Sequence, residues 1–366
     1  MSERPVVGIL GANGFIGSRL VEWLVLHDLT RTRPIVRSYK ALARLARFEL
    51  DCRLADATDQ ASLENQLRGC QYLFHCVVGS RDVILESIEA AYRAAAAANV
   101  QRLVYLSSAV VHGYDPAPET HDDTPLIRRQ PAPYAVSKVL AEHRLRRLSA
   151  DYRVEVVVLR PYIVFGPRSQ WTAQIASDLL SGKGYLINGG AGICNAVYVD
   201  NLIKAMWQAA TNPQAAGQNF LITDGERVTW LDFYATVAKA VGVEASTIPS
   251  IDIPMELGPA AGRLIHKLKR NHFARGINEL LPWRFRQYLR SRLDPQTTLP
   301  SIHQMPAVDS VTARLQRCRY VLPIAKAKRV LGYSPLPFDE GCRRTAEWIR
   351  FAFGLENTHG IGRTRQ

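Results

Sequence analysis

The sequence predicts an α/β protein, a doubly wound parallel sheet with a smaller C-terminal lobe. Three observations carry that expectation. A glycine-rich turn joins an apolar run to a helical pattern at the chain start, strands and helices alternate along residues 5–160, and 366 residues can bury a large core.

The elements follow from periodicity. Apolar runs at 5–10, 34–37, 50–54, 71–78, 102–108 and 154–160 read as strands, and helical patterns mark 15–28, 60–68, 81–98 and 134–149. The alanine-rich run EAAYRAAAAAN reads as a buried, closely packed helix, because alanine is the best helix former. The first strand and helix enclose PVVGILGANGFIG, with glycines at 11, 14 and 17. Gly11 permits the tight turn, Gly14 lets the backbone approach a pyrophosphate, and Gly17 lets helix and strand pack closely. An anion would then sit on the unpaired N–H groups of the helix N-terminus. The spacing is G-x-x-G-x-x-G rather than G-x-G-x-x-G.

A second constellation points to catalysis. Tyr134 and Lys138 (YAVSK) are four apart, so on a helix they share one face. An ammonium beside a phenol is expected to lower the phenol's pKa, and a phenol so tuned can exchange a proton with an alcohol or carbonyl. Ser108 ends the apolar run LVYLS, where its hydroxyl could bind the reacting oxygen.

These segments resemble the extended short-chain dehydrogenase/reductase family, also called the NAD-dependent epimerase/dehydratase family. The matching stretches are GANGFIG, LADATD, FHCVV, NVQRLVYLSSAVVHG, PYAVSK, LRPYIVFGP, NAVYVDNLIKAM and KAKRVLGYSP, in the family's order. The resemblance implies a Rossmann-type domain at 1–164, to which 196–223 returns. It implies a substrate-binding lobe at 165–195 and 224–352, and 353–366 reads as a polar tail. It also implies that Ser108, Tyr134 and Lys138 are the catalytic set, with hydride exchanged between substrate and nicotinamide. The implied cofactor contacts include Asn13, Phe15 and Ile16 beside the three glycines, Asp56 and Ala57 near the adenine, and Val77, Ser107, Pro161 and Ile163 with Tyr134 and Lys138 toward the nicotinamide.

The end of the second strand, RPIVRSYK, has Arg37 and no acidic residue. An arginine there can pair with a 2′-phosphate, so NADP is favoured over NAD. Ile163 stands where nucleotide-sugar enzymes of the family typically place a hydrogen-bonding asparagine. The LRPYIVFGP and VYVDN segments look more like the branch containing 3β-hydroxysteroid dehydrogenases. His112, Arg168 and Trp171 are candidate substrate contacts. Three functions remain open: an oxidoreductase acting on a secondary alcohol or ketone, a nucleotide-sugar epimerase or dehydratase, and a non-catalytic cofactor-sensing or scaffold subunit. A homodimer is expected by analogy with relatives.

Charge and composition add limits. The net charge is +13, and 263–292 carries nine Lys/Arg against Glu279 alone, interleaved with Trp283, Phe285 and Tyr288. Such a segment suits an anionic membrane surface, an anionic partner or substrate, or a solvated helical hairpin. No motif supports nucleic-acid binding. The six cysteines form no C-x-x-C pair and no metal spacing, so free thiols and no metal are expected. The start MSERPVV leaves no room for a signal peptide, and no apolar run is long enough to span a bilayer, so a cytoplasmic protein, peripheral at most to a membrane, is expected.

Overall fold

The apolar runs become one seven-stranded sheet in the computed structural model, which describes residues 4–151, 153–253 and 310–355. Its strands are β1 (Val6–Leu10), β2 (Arg31–Val36), β3 (Arg53–Leu54), β4 (Tyr72–His75), β5 (Arg102–Leu106), β6 (Glu155–Pro161) and β10 (Asn219–Ile222). The order is β10-β6-β5-β4-β1-β2-β3, and every pairing is parallel. Strand β1 lies between β2 and β4, so the winding reverses there and a crevice opens beyond the carboxyl ends of β1 and β4.

Strands buried on both faces need helices on both faces. Helices α2 (Gln60–Leu67), α3 (Arg81–Ala97) and α4 (Pro133–Leu148) cover one side through Leu63, Ile88, Ala91 and Leu145. The other side is covered by α1 (Phe15–Leu26) and α6 (Val199–Thr211) through Leu20, Leu24, Ile203 and Met206. The run expected at 50–54 pairs over Arg53–Leu54 only; both residues are exposed at the sheet edge.

Arg102 ties α6 to the sheet. It is 2 % exposed, binds Glu155, and donates to the Ala209, Ala210 and Asn212 carbonyls at the end of α6. The Ala209 and Ala210 carbonyls lie in the last turn, where helix carbonyls lack an intrahelical partner, and the cation also meets the negative end of the helix dipole.

The remaining described strands and α-helices pack beyond Pro161. They are β7 (Ile163–Phe165) paired with β9 (Ala196–Tyr198), β8 (Leu186–Ile187) paired with β11 (Ser250–Ile251), and helices α5 (Gln170–Leu180), α7 (Trp230–Val241), α8 (Ser310–Leu315) and α9 (Phe338–Ala352). Two buried asparagines hold the late chain in place. Asn195 donates to the Tyr320 carbonyl at 3.0 Å and accepts from Leu322 N–H at 2.8 Å; Asn201 does the same for the Leu336 carbonyl and N–H. The six cysteines are free thiols, and among the described residues no His/Cys/Asp/Glu group could hold a metal. No described helix is long and apolar enough to cross a membrane. The basic 263–292 segment lies outside the described residues, as does the tail beyond 355.

Candidate active site

The glycine turn closes on itself at the crevice. Gly11 has φ +76°, and a Cβ there would lie 2.7 Å from the Cys76 carbonyl oxygen after β4. A Cβ at Gly17 would lie 2.2 Å from the Gly11 oxygen. Both positions therefore exclude a side chain. Gly14 caps α1 without a side-chain hydrogen bond, which leaves the first N–H groups of that helix open to an anion. Asn13 is exposed and Phe15 and Ile16 half-buried around this turn. Shape and donors both fit a dinucleotide diphosphate.

At the β2 end of the crevice Arg37 is exposed. It lies close enough to Asp56 to help hold that carboxyl below its usual range, after the larger effect of the Thr58 N–H and hydroxyl at 2.9 and 2.8 Å. Ala57 and Val77 are half-buried along the same rim.

The catalytic candidates meet at the β5–β6 end. Ser108 closes β5, caps the short helix Ala109–His112 and donates to the Pro161 carbonyl at 3.3 Å. It lies near enough to the Tyr134 phenol to favour the ionised form of that group. Lys138 is 1 % exposed; its ammonium donates to the Leu106 carbonyl at 2.7 Å and to the Tyr105 hydroxyl at 3.4 Å. It sits 4.9 Å from the Tyr105 ring centroid and 5.9 Å from that of Tyr134.

This geometry corrects the expected tuning of Tyr134. The ammonium is directed at a carbonyl rather than at the phenol. Tyr134 keeps 37 % of its surface exposed, yet desolvation by the surrounding protein raises its pKa to about 12, with the nearby Ser108 hydroxyl opposing. Burial lowers Lys138 to about 8, with Glu142 opposing. At neutral pH the site thus presents a protonated phenol beside a predominantly charged ammonium, a pair suited to giving a proton to a developing alkoxide.

Behind the set lies a buried ion pair. Arg160 (1 % exposed) donates to both oxygens of Glu142 at 3.0 and 2.6 Å. Ser107 donates to the same carboxylate, so its hydroxyl is committed to the scaffold. Arg160 also donates to the Asp122 carbonyl at 2.6 Å and to His112 Nε2 at 3.2 Å. The expectation that His112 faces the substrate is therefore corrected: its ring is 2 % exposed, and burial with Arg160 nearby lowers its pKa to about 4. Ile163 needs the same correction as a cofactor contact. It is 2 % exposed in the main core, on a strand that leaves the sheet to pair with β9.

Arg168 and Trp171 do not join the triad. Arg168 has φ +73° and lies 3.7 Å from Glu22 of α1. Trp171 is 38 % exposed at the start of α5, its ring 6.3 Å from that of Trp230. Sequence reasoning passed over Tyr105 and Glu142. The latter continues the four-residue spacing Tyr134–Lys138–Glu142 along one face of α4.

Comparison with known proteins gives the family. The model of the NAD dependent epimerase/dehydratase family matches residues 7–223, more than half of the chain. The chain belongs to that family. It is an NAD(P)-dependent enzyme of the extended dehydrogenase/reductase type, similar to proteins of several activities. A 3beta-hydroxysteroid-dehydrogenase/decarboxylase of Arabidopsis thaliana is 22 % identical over 93 % of this chain and 78 % of its own length. The UDP-glucose 4-epimerase of Vibrio cholerae is 27 % identical over 71 % of this chain and 82 % of its own. The fold matches that of a dTDP-glucose 4,6-dehydratase from Streptomyces venezuelae, solved with NAD, at TM-score 0.69 and 19 % identity over 96 % of this chain and 99 % of that one.

Proposed function

We propose that this family member is a net oxidoreductase that interconverts a secondary alcohol and a ketone, with NADP(H) preferred over NAD(H). The convergence of Ser108, Tyr134 and Lys138 at the carboxyl end of β5 supports the chemistry most directly. When bound, the nicotinamide supplies the hydride donor or acceptor. Ser108 orients the substrate oxygen, and Tyr134 gives that oxygen a proton in reduction or takes one in oxidation. Lys138, charged below about pH 8, donates to the nicotinamide ribose and keeps the pocket positive. Tyr134→Phe is expected to abolish turnover with little change in cofactor affinity; retained turnover would remove Tyr134 from this role.

Arg37, exposed where an acidic residue would suit the adenosine ribose, supports the NADP(H) preference. Arg37→Glu should weaken NADP(H) binding selectively, and unchanged affinity for both cofactors refutes the assignment. The similarity to the Arabidopsis enzyme supports an apolar, lipid-like alcohol. The similarity to the Vibrio epimerase favours a second reading, an epimerase or dehydratase that re-oxidises its cofactor within each turnover. A cytoplasmic homodimer completes the proposal and is tested by the solution mass. Attachment to anionic bilayers through 263–292 rests on charge, and vesicle co-sedimentation at low salt decides it.

A further inference from the structure

Four arginines converge on a groove of about 410 Å³ outside the dinucleotide crevice. They are Arg19 of α1, Arg44 and Arg47 of the turn after β2, and Arg168, and Glu22 and Trp348 line the groove with them. One carboxylate serves most of this charge. Glu22, 8 % exposed, binds Arg19 at 2.6 Å, pairs with Arg47 and lies 3.7 Å from Arg168. Asp200 takes a second edge of Arg19 at 2.6 Å and lies 3.8 Å from Arg344. Arg44 has no acidic partner among the described residues. The guanidinium of Arg168 is half-buried and destabilised first by that burial and then by Arg44, Arg19 and Arg47. Its backbone is held at φ +73°, a region that costs a non-glycine residue energy. A concave site with excess positive charge concentrates anions.

The groove is distinct from the crevice. No residue of the glycine turn, of the Arg37–Asp56 corner or of the triad lines it. Arg19 and Glu22 follow Phe15 by four and seven residues, about 6 and 10 Å along the helix axis. A carboxylate has two oxygens, and Glu22 already occupies that role. The remaining donors of Arg44, Arg47 and Arg168 call for an anion with three or more oxygens and more than one negative charge.

We propose that this groove binds a phosphate or diphosphate group, separately from the dinucleotide. The test is isothermal titration of the full chain with inorganic pyrophosphate in the presence of saturating NADH. One site with a Kd tighter than about 1 mM is expected. The double variant Arg44→Gln/Arg168→Gln should weaken it at least about tenfold, the loss expected of charge-assisted donors. Its NADH affinity should stay as in the parent, and its melting temperature should not fall, because mutual repulsion is relieved. A Kd weaker than about 1 mM, or equal binding by the double variant, overturns the proposal. Competition with NADH assigns the anion to the crevice. Displacement by NADP(H) but not by NADH assigns the groove to the 2′-phosphate of the dinucleotide. Either result also overturns a separate site.

Discussion

Replacing Glu142 by glutamine tests the scaffold behind the proposed catalytic set and the set itself. Glu142 is 5 % exposed and accepts from both Arg160 and Ser107. Glutamine keeps one acceptor oxygen and turns an amide N–H₂ toward a guanidinium, donor against donor. Arg160, 1 % exposed, would then be a buried cation without its carboxylate partner, left with the Asp122 carbonyl, His112 and one amide oxygen. Breaking such a pair from one side costs about 3–5 kcal/mol. A second effect reaches the active site. The Glu142 carboxylate is the charge that most favours protonated Lys138, so its loss lowers the Lys138 pKa further below about 8. Urea unfolding followed by circular dichroism reads the first effect. NAD(P)H binding, followed by fluorescence from neutral to alkaline pH, reads the second. The expected outcome is a lower unfolding midpoint, with the alkaline loss of binding displaced to lower pH. A variant within about 0.5 kcal/mol of the parent, the range of an ordinary surface change, would refute the buried-pair argument. An unmoved alkaline limb would refute the coupling to Lys138.

Two further predictions concern the cofactor turn and acid stability. Gly17→Ala puts a Cβ 2.2 Å from the Gly11 oxygen, a backbone atom that cannot move without opening the turn. It should cost more than about tenfold in dinucleotide affinity, a change of over 1.4 kcal/mol, and an unchanged fluorescence titration contradicts that. His75 and His112 are held at about 3 and 4 by burial, against 6.5 for an ordinary imidazole. Between those values the unfolded chain binds more protons, so stability falls as pH drops from about 6.5 toward 4. The cost is about 1.4 kcal/mol per pH unit for each group, several kcal/mol in all. The slope of unfolding free energy with pH should flatten in His75→Asn, and identical slopes would count against it.

The features readable from sequence were those set by local chemistry. The glycines of 11–17 are constrained by neighbours a few residues away, and Tyr134 and Lys138 share a helix face by spacing alone. Strand–helix alternation identified the sheet because parallel strands buried on both faces are continuously apolar, as in LVYL of β5. What stayed hidden depends on partners distant in the chain. Glu142 reads as one more charged helix residue until Arg160 is brought against it. His112 ends the short helix that follows β5 and Ile163 opens β7, and here the His112 ring is engaged by Arg160 and Ile163 by the β7–β9 pairing. Arg168 was expected near the substrate, and its left-handed backbone accompanies a side chain set among the arginines of the α1 groove. The Lys138 ammonium shares a face with Tyr134, yet its direction is set by the Leu106 carbonyl on another element.

The most direct test of the account is the absorbance at 340 nm of the purified protein with NADP(H). Substrates would be apolar secondary alcohols and ketones on one side and nucleotide sugars on the other. A net, stoichiometric change with an alcohol or ketone is expected, and it disappears in Tyr134→Phe. Conversion of a nucleotide sugar without net absorbance change would contradict it and make the protein an epimerase or dehydratase.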